Sequence, residues 1–222
     1  MAQKYRIYQL SVTPVTVFAH LLAIAITTLV LVWLLKFREG LAFSSSNKLK
    51  IFNLHPLFMV IGFILFGGEA IMVYKTAPAR REVQKNVHLV LHLIALVAGI
   101  LGIYAVFKFH HEMRISNLVS LHSWLGISTI CLFGLQWVLA FFSFVFPGSN
   151  TGSRTSYLSW HVFLGMVVFL LAVCTAEMGI TEKFIYEGLK RNQEALIVKF
   201  TGLLIFLFAV SVSLTILIPR GY

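Results

Sequence analysis

Charge is scarce in this sequence: only 12% of its 222 residues are Asp, Glu, Lys or Arg, whereas 59% are hydrophobic. The mean hydropathy of +0.87 lies far above that of an ordinary globular domain and excludes a water-soluble one. Acidic residues are scarcest, 8 against 18 Lys and Arg, for a net charge of +10. Because the basic residues are scattered among short connections, they fit membrane anchoring and small anions, and no nucleic-acid partner is expected. Cysteine is almost absent. Cys131 and Cys174 fall inside apolar runs, where a loop disulfide has no place, and are expected as small packing residues. There is no useful internal repeat and no room for a soluble domain, so residues 1–222 are read as a single transmembrane domain. The first apolar run is too long for a signal-peptide core and lacks a small-residue cleavage site, so it is expected to remain as a helix.

Long uncharged runs are what the sequence does have, at 7–35, 51–68, 86–107, 115–153, 155–176 and 200–219. A membrane-spanning helix needs about 20 mostly apolar residues at about 1.5 Å each. The second run reaches that length if Glu69 is admitted and the helix continues to Tyr74. β-barrel strands would instead alternate over about ten residues. The expected fold is all-α, with six transmembrane helices at about 13–35, 51–74, 86–107, 118–146, 155–177 and 197–218, the first beginning near Thr13-Pro14 and the last stopped by Pro219. Connections are expected at 36–50, 75–85, 108–120, 147–159 and 178–199.

Six spans put both ends of the sequence on one side. Lys4, Arg6, Lys75, Arg80, Arg81, Lys85, Arg154 and Arg220 share that side, and ten basic residues, among them Lys36, Arg38, Lys48 and Lys50, lie opposite. The positive-inside rule does not decide between two such counts.

Four histidines stand near the starts of four consecutive spans: His55, His88, His122 and His161. Alternate helices run in opposite directions, so His55 and His122 can meet near one membrane surface, and His88 and His161 near the other. Ionisable side chains at membrane depth are costly and usually face the bundle interior for a reason. Paired neutral imidazoles suit the two axial positions of a b-type haem lying between helices. The same four residues are also compatible with hydrogen-bonded helix contacts. His88 and His92 in an H-x-x-x-H pair and the adjacent His110 and His111 are fragments of the histidine boxes of a non-haem, desaturase-like metalloenzyme. A histidine-lined metal or proton transporter is a further alternative, although it would be expected to carry broken helices or midplane polar groups.

Leu54-His55-Pro56, Ser120-Leu121-His122-Ser123-Trp124 with Gly126, Trp160-His161, and Gly179-Ile180-Thr181-Glu182-Lys183 resemble segments of the cytochrome b561 family. The resemblance covers nearly the whole chain. It implies helices two to five forming a four-helix bundle around two haem b groups, and transmembrane electron transfer from cytoplasmic ascorbate to monodehydroascorbate or a ferric chelate. It implies further that both termini are cytoplasmic and that the protein forms a homodimer; a vacuolar, vesicular or plasma membrane would each serve. His88 and His161 would ligate the cytoplasmic-side haem iron, His55 and His122 the other. His92 is not a ligand position in relatives and is expected to pack in the interior.

Ascorbate is an anion at neutral pH, so its site needs cations near the cytoplasmic-side haem. Arg81 and Lys85 lie one helical turn apart and lead into His88, and Arg154 precedes His161 by seven residues. The resemblance puts the ascorbate pocket there, and some plant relatives carry a tyrosine where Phe144 stands. On the other side the resemblance makes His110 an acceptor-binding residue; Phe109 and Asn117 are placed to frame it, and His111, adjacent to it, is expected to face solvent on helical geometry. Glu69 and Glu177 are read either as orienting a ligand histidine or as interfacial carboxylates.

Overall fold

The structure, a computed structural model, describes residues 11–146 and 151–218, without the side chains of 151–153. Lys4, Arg6, Pro219, Arg220 and the start of the expected 147–159 connection lie outside the described residues. Among the described residues there is no strand, and six helices are long and apolar enough to cross a membrane. They are α1 (Thr13–Phe37), α2 (Leu49–Thr76), α3 (Arg81–Met113), α4 (Leu121–Val145), α5 (Thr151–Tyr186) and α6 (Gln193–Leu217). In lipid every backbone N–H and C=O must be satisfied inside its own segment, which is why these apolar runs are helical throughout.

Local signals fix the ends. Pro14 sits in the first turn of α1, where its missing N–H has no helical partner to lose. The hydroxyl of Ser120 accepts from the Ser123 backbone N–H, and the Ser123 hydroxyl accepts from that of Ser120, a reciprocal cap that starts α4. The two serines of the S-L-H-S run therefore set where His122 enters the helix. Arg114 closes α3 in the left-handed conformation at φ 56°, and Asn192 caps α6.

The helices α2, α3, α4 and α5 contact one another in a ring, and α1 and α6 pack together outside it, α6 against α2 and α5. Ala19, Leu22, Ile26 and Val30 of α1 meet Ile205, Phe208, Ala209 and Val212 of α6 in the main apolar cluster. Small residues let helices approach where lipid offers no hydrophobic drive. A Cβ at Gly102 of α3 would lie 2.9 Å from the Met59 methyl and 3.5 Å from the His55 carbonyl. The absence of a side chain there lets α2 and α3 close beside His55.

Two expectations are corrected. Helices α3 and α5 run well past the expected 86–107 and 155–177, because counting stopped at the first charged residue while the backbone ladder did not. Lys, Arg and Glu are good helix formers once clear of the hydrocarbon. The cysteines are free and exposed on the outer surface of the bundle. A small apolar thiol loses nothing facing lipid.

Candidate functional site

Helix α2 brings His55 to the far side, where α1 and α3 end, and α4 begins there with His122. Their ring centroids lie 6.1 Å apart with planes at 90°. On the near side, where α3 and α5 begin, His88 and His161 are also 6.1 Å apart, at 69°. Three of the four rings are held by the same device. Nδ1 of His55 donates to the Gly102 carbonyl (3.0 Å), Nδ1 of His88 to that of Ala70 (2.8 Å), and Nδ1 of His122 to that of Thr175 (2.8 Å). A neutral imidazole with its proton on Nδ1 keeps the Nε2 lone pair free for a ligand. His161 differs: its Nδ1 is buried without a partner, while its own carbonyl accepts from Gln136 Nε2 (2.9 Å).

A cavity of about 560 Å³ opens between α2, α3, α4 and α5 beside the near-side pair. Phe63, Gly67 and Ile71 line one wall and Phe133, Gln136 and Ala140 the opposite one, with His88, His92 and His161 at the same space. His92 packs its ring against His88 (4.5 Å between centroids) and Phe133 (5.4 Å), in keeping with an interior packing residue.

Arg81, Lys85 and Arg154 line the mouth of this cavity, so the three cations singled out by spacing do converge on one site. Lys85 donates to the Phe144 carbonyl and Arg154 to that of Phe146, both at 3.4 Å. Arg81 lies over the Tyr74 ring (5.5 Å), and Tyr74 packs on His88 (5.2 Å). None of the three cations has a carboxylate partner among the described residues, and near-side Lys75, Arg80, Arg81, Lys85 and Arg154 face one near-side acid, Glu82. Phe144 stacks on Tyr157 (5.4 Å), whose ring in turn lies against His161 (6.1 Å). Sequence reading missed Tyr74 and Lys75 as lining residues, although both follow Ile71 on one helical face.

On the far side, His110 Nδ1 donates to Asn117 Oδ1 (2.8 Å), and the buried Phe109 ring lies 5.9 Å from that of His110. His110 belongs to the last turn of α3 and not to a loop. His111 is exposed, as expected. Some far-side cations are paired with carboxylates: Arg38 with Glu187 and Glu194, Lys48 and Lys108 with Glu112, and Lys183 with Glu187.

The two intramembrane glutamates do not bond a histidine of either pair. Glu69 accepts from Nδ1 of His20 on α1 (2.9 Å), a partner that sequence reading had not identified. Glu177 lies against Gly202 of α6 with Oε1 buried and unpaired.

Residues 54–187, which hold both histidine pairs and all three cations of the cavity mouth, match the profile of the eukaryotic cytochrome b561 family. The chain belongs to that family. It is 50% identical over 93% of its length to a probable ascorbate-specific transmembrane electron transporter of Oryza sativa subsp. japonica, covering 90% of that protein. It is 49% identical over 90% of its length to a transmembrane ascorbate ferrireductase of Arabidopsis thaliana, covering 86% of it. It is 37% identical over 86% of its length to the transmembrane ascorbate-dependent reductase of Ovis aries, covering 77% of it.

A b-type cytochrome holds haem b, and the residues present fit it. Two imidazoles sharing one metal at the usual nitrogen–metal distance of about 2 Å have centroids about 6 Å apart, as in both pairs here. The Nδ1–carbonyl bonds leave the Nε2 lone pair free to ligate, and the near-side cavity is lined mainly by apolar side chains and edged with cations. Among the described residues no cluster of three or more His, Cys, Asp or Glu could hold a metal ion by itself, which counts against the desaturase-like alternative.

The fit at His122 is tight. A Cβ at Gly179 would lie 2.6 Å from His122 Cε1. Gly179→Ala is therefore expected to push the ring off its bond to Thr175, at about 1–3 kcal/mol for overpacking, and to weaken the hold on any haem that His122 ligates. A visible spectrum with undiminished low-spin bands and unchanged thermal stability would contradict it.

Proposed function

We propose that this protein carries electrons across a membrane from ascorbate on the near side to monodehydroascorbate or a ferric chelate on the far side. The observation that carries the reading is the repetition of one arrangement, a histidine pair at 6.1 Å, at opposite ends of the same four helices. Each pair holds one haem b, His88 with His161 and His55 with His122, so the chain holds two. Bound there, haem b supplies a one-electron iron couple, and ligation by two histidines leaves no position open to oxygen or substrate.

The protein's own groups do the rest. Arg81, Lys85 and Arg154 bind and orient the ascorbate anion at the cavity mouth, where no neighbouring carboxylate competes for them. The Ala70, Gly102 and Thr175 carbonyls fix ring orientation and keep each Nδ1 protonated. Phe63 and Phe133, 4.7 Å apart between centroids, fill the space between the pairs and exclude water. His110, held by Asn117 and backed by Phe109, receives the acceptor. The convergence of Arg81, Lys85 and Arg154 on the near-side cavity supports making it the donor side, and the near side is then cytoplasmic, where ascorbate is supplied.

A single optical spectrum tests the core of the reading. The purified protein is expected to show a Soret band, with sharp α-bands on adding ascorbate; a colourless protein would favour a transporter. Delivery is tested by His110→Ala in liposomes with ascorbate inside, facing the near side, and a ferric chelate outside. Haem reduction by ascorbate is expected to stay intact while chelate reduction slows several-fold. Equal slowing of both steps would remove His110 from the acceptor site.

A further inference from the structure

The end of α5 reaches past the membrane, where it touches His122 directly and borders His55 through the ring of Phe52. Gly179 lies beneath the His122 ring, and the Glu182 carboxylate accepts from the Ser120 hydroxyl (3.3 Å) at the cap that starts α4. One residue on, the Lys183 ammonium sits 4.4 Å from the centroid of the Phe52 ring, whose face turns partial negative charge toward a cation. That ring packs on His55 (6.2 Å between centroids) and on Phe109 (5.2 Å).

Lys183 is pinned in place. Its side chain is 15% exposed and pairs with Glu187 (2.5 Å). Glu187 pairs in turn with Arg38 (2.7 Å), Arg38 with Glu194 (2.5 Å), and Glu194 accepts from the Trp33 indole (2.9 Å). Glu187 lies just beyond the end of the α5 span. Burial pushes its carboxyl up, but hydrogen bonds from Lys183 and Arg38 outweigh burial and hold it below the usual carboxylate range. The Glu187 carboxylate is therefore held ionised beside the Lys183 ammonium. The cation is the member that touches the ring beside His55.

We propose that Lys183 sets the reduction potential at the His55–His122 pair, its ammonium stabilising an added electron there through its fixed seat on Phe52. The inference rests on the reading that this pair holds a haem. Charge at a partly buried site is poorly screened, so removing one positive charge destabilises the reduced form most at the nearest redox centre. Lys183→Met makes the local charge one unit more negative; Glu187→Gln makes it one unit more positive. Electrostatic tuning therefore predicts opposite shifts, whereas loosened packing predicts shifts of one sign. A high potential at the far side also helps to draw electrons outward from the donor side.

The test is an optical redox titration of the full-length, haem-loaded protein in nanodiscs. In Lys183→Met, one of the two one-electron waves is expected to fall by at least tenfold in its equilibrium constant, about 59 mV for one electron, while the other stays. Glu187→Gln should raise the same wave, and Lys183→Arg should restore it nearly to wild type. Unmoved waves in Lys183→Met, or shifts of one sign in both variants, overturn the proposal. If Lys183→Met loses haem, Glu187→Gln decides alone: without a rise, the proposal falls. The underlying ligand reading fails by a different result, full haem content in His55→Ala.

Discussion

If each histidine pair holds a haem as proposed, replacing His88 or His161 by alanine is expected to bring haem content from two per chain toward one, and His55→Ala or His122→Ala to do the same from the other side. Both members of a pair are needed because one remaining imidazole cannot complete six-coordination of the iron. The loss should be confined to one haem, since the pairs sit near opposite ends of the helices and share no histidine. His88 makes the sharper case. Its Nδ1 bond to the Ala70 carbonyl presets the ring, and no other histidine could replace it without moving. His92, whose ring is in contact with His88, is the obvious candidate to step in, yet it is packed edge-on between His88 and Phe133. His92→Ala is therefore the control, expected to keep both haems. Haem per protein and the low-spin α-bands are the measurements, and full occupancy with unshifted bands in His88→Ala would sink the pairing.

The pairing itself was legible in the sequence because it needs only helix parity. Successive spans alternate direction, so a histidine at each of four successive starts must sort into two groups on opposite sides. The cations at the cavity mouth were legible for a similar reason, since Arg81 and Lys85 share a helix face one turn before His88. Where the helices end was not. Charge-free runs mark where lipid begins, but α3 continues to Met113 and α5 to Tyr186 in the interface, where backbone hydrogen bonds persist and charged side chains are solvated. Those overhangs carry His110 and Lys183, which is why one was expected on a loop and the other was given no role.

Contacts between distant helices were hidden for a different reason. The Glu69–His20 bond joins residues 49 apart, and no periodicity within α2 tells that residue 69 faces α1 while Gly67 and Ile71 face the cavity. The π-helical turn at Phe58–Leu65, following Pro56, also shifts the register of everything after it. Projection of α2 as a regular helix from His55 therefore misplaces residues beyond that turn. The Gly179 contact is likewise invisible in a string of letters. Only the approach of α5 to the His122 ring explains why no side chain fits there.

Neutralising Arg81 and Lys85 together is expected to weaken apparent ascorbate affinity at least tenfold and to leave haem content untouched. The two cations do not contribute equally. Lys85 is partly buried, with its ammonium near the Phe144 carbonyl, and a hydrogen bond from such a group to a charged ligand contributes about 1.5–3 kcal/mol. Arg81 is exposed and is discounted to about 0–1 kcal/mol for solvent screening. The lower bound of that sum already reaches the roughly 1.4 kcal/mol that corresponds to one decade. Lys85→Met alone should therefore carry most of the effect, and Arg81→Met alone a few-fold at most. Added salt should shrink the Arg81 contribution first, because an exposed charge is the more strongly screened. Dithionite reduction should remain fast in all variants, since it does not depend on the cation site. The measurement is the initial rate of haem reduction against ascorbate concentration in liposomes with ascorbate at the near side. A double variant with the wild-type concentration dependence would leave these residues as interfacial anchors and move the donor site elsewhere on the protein.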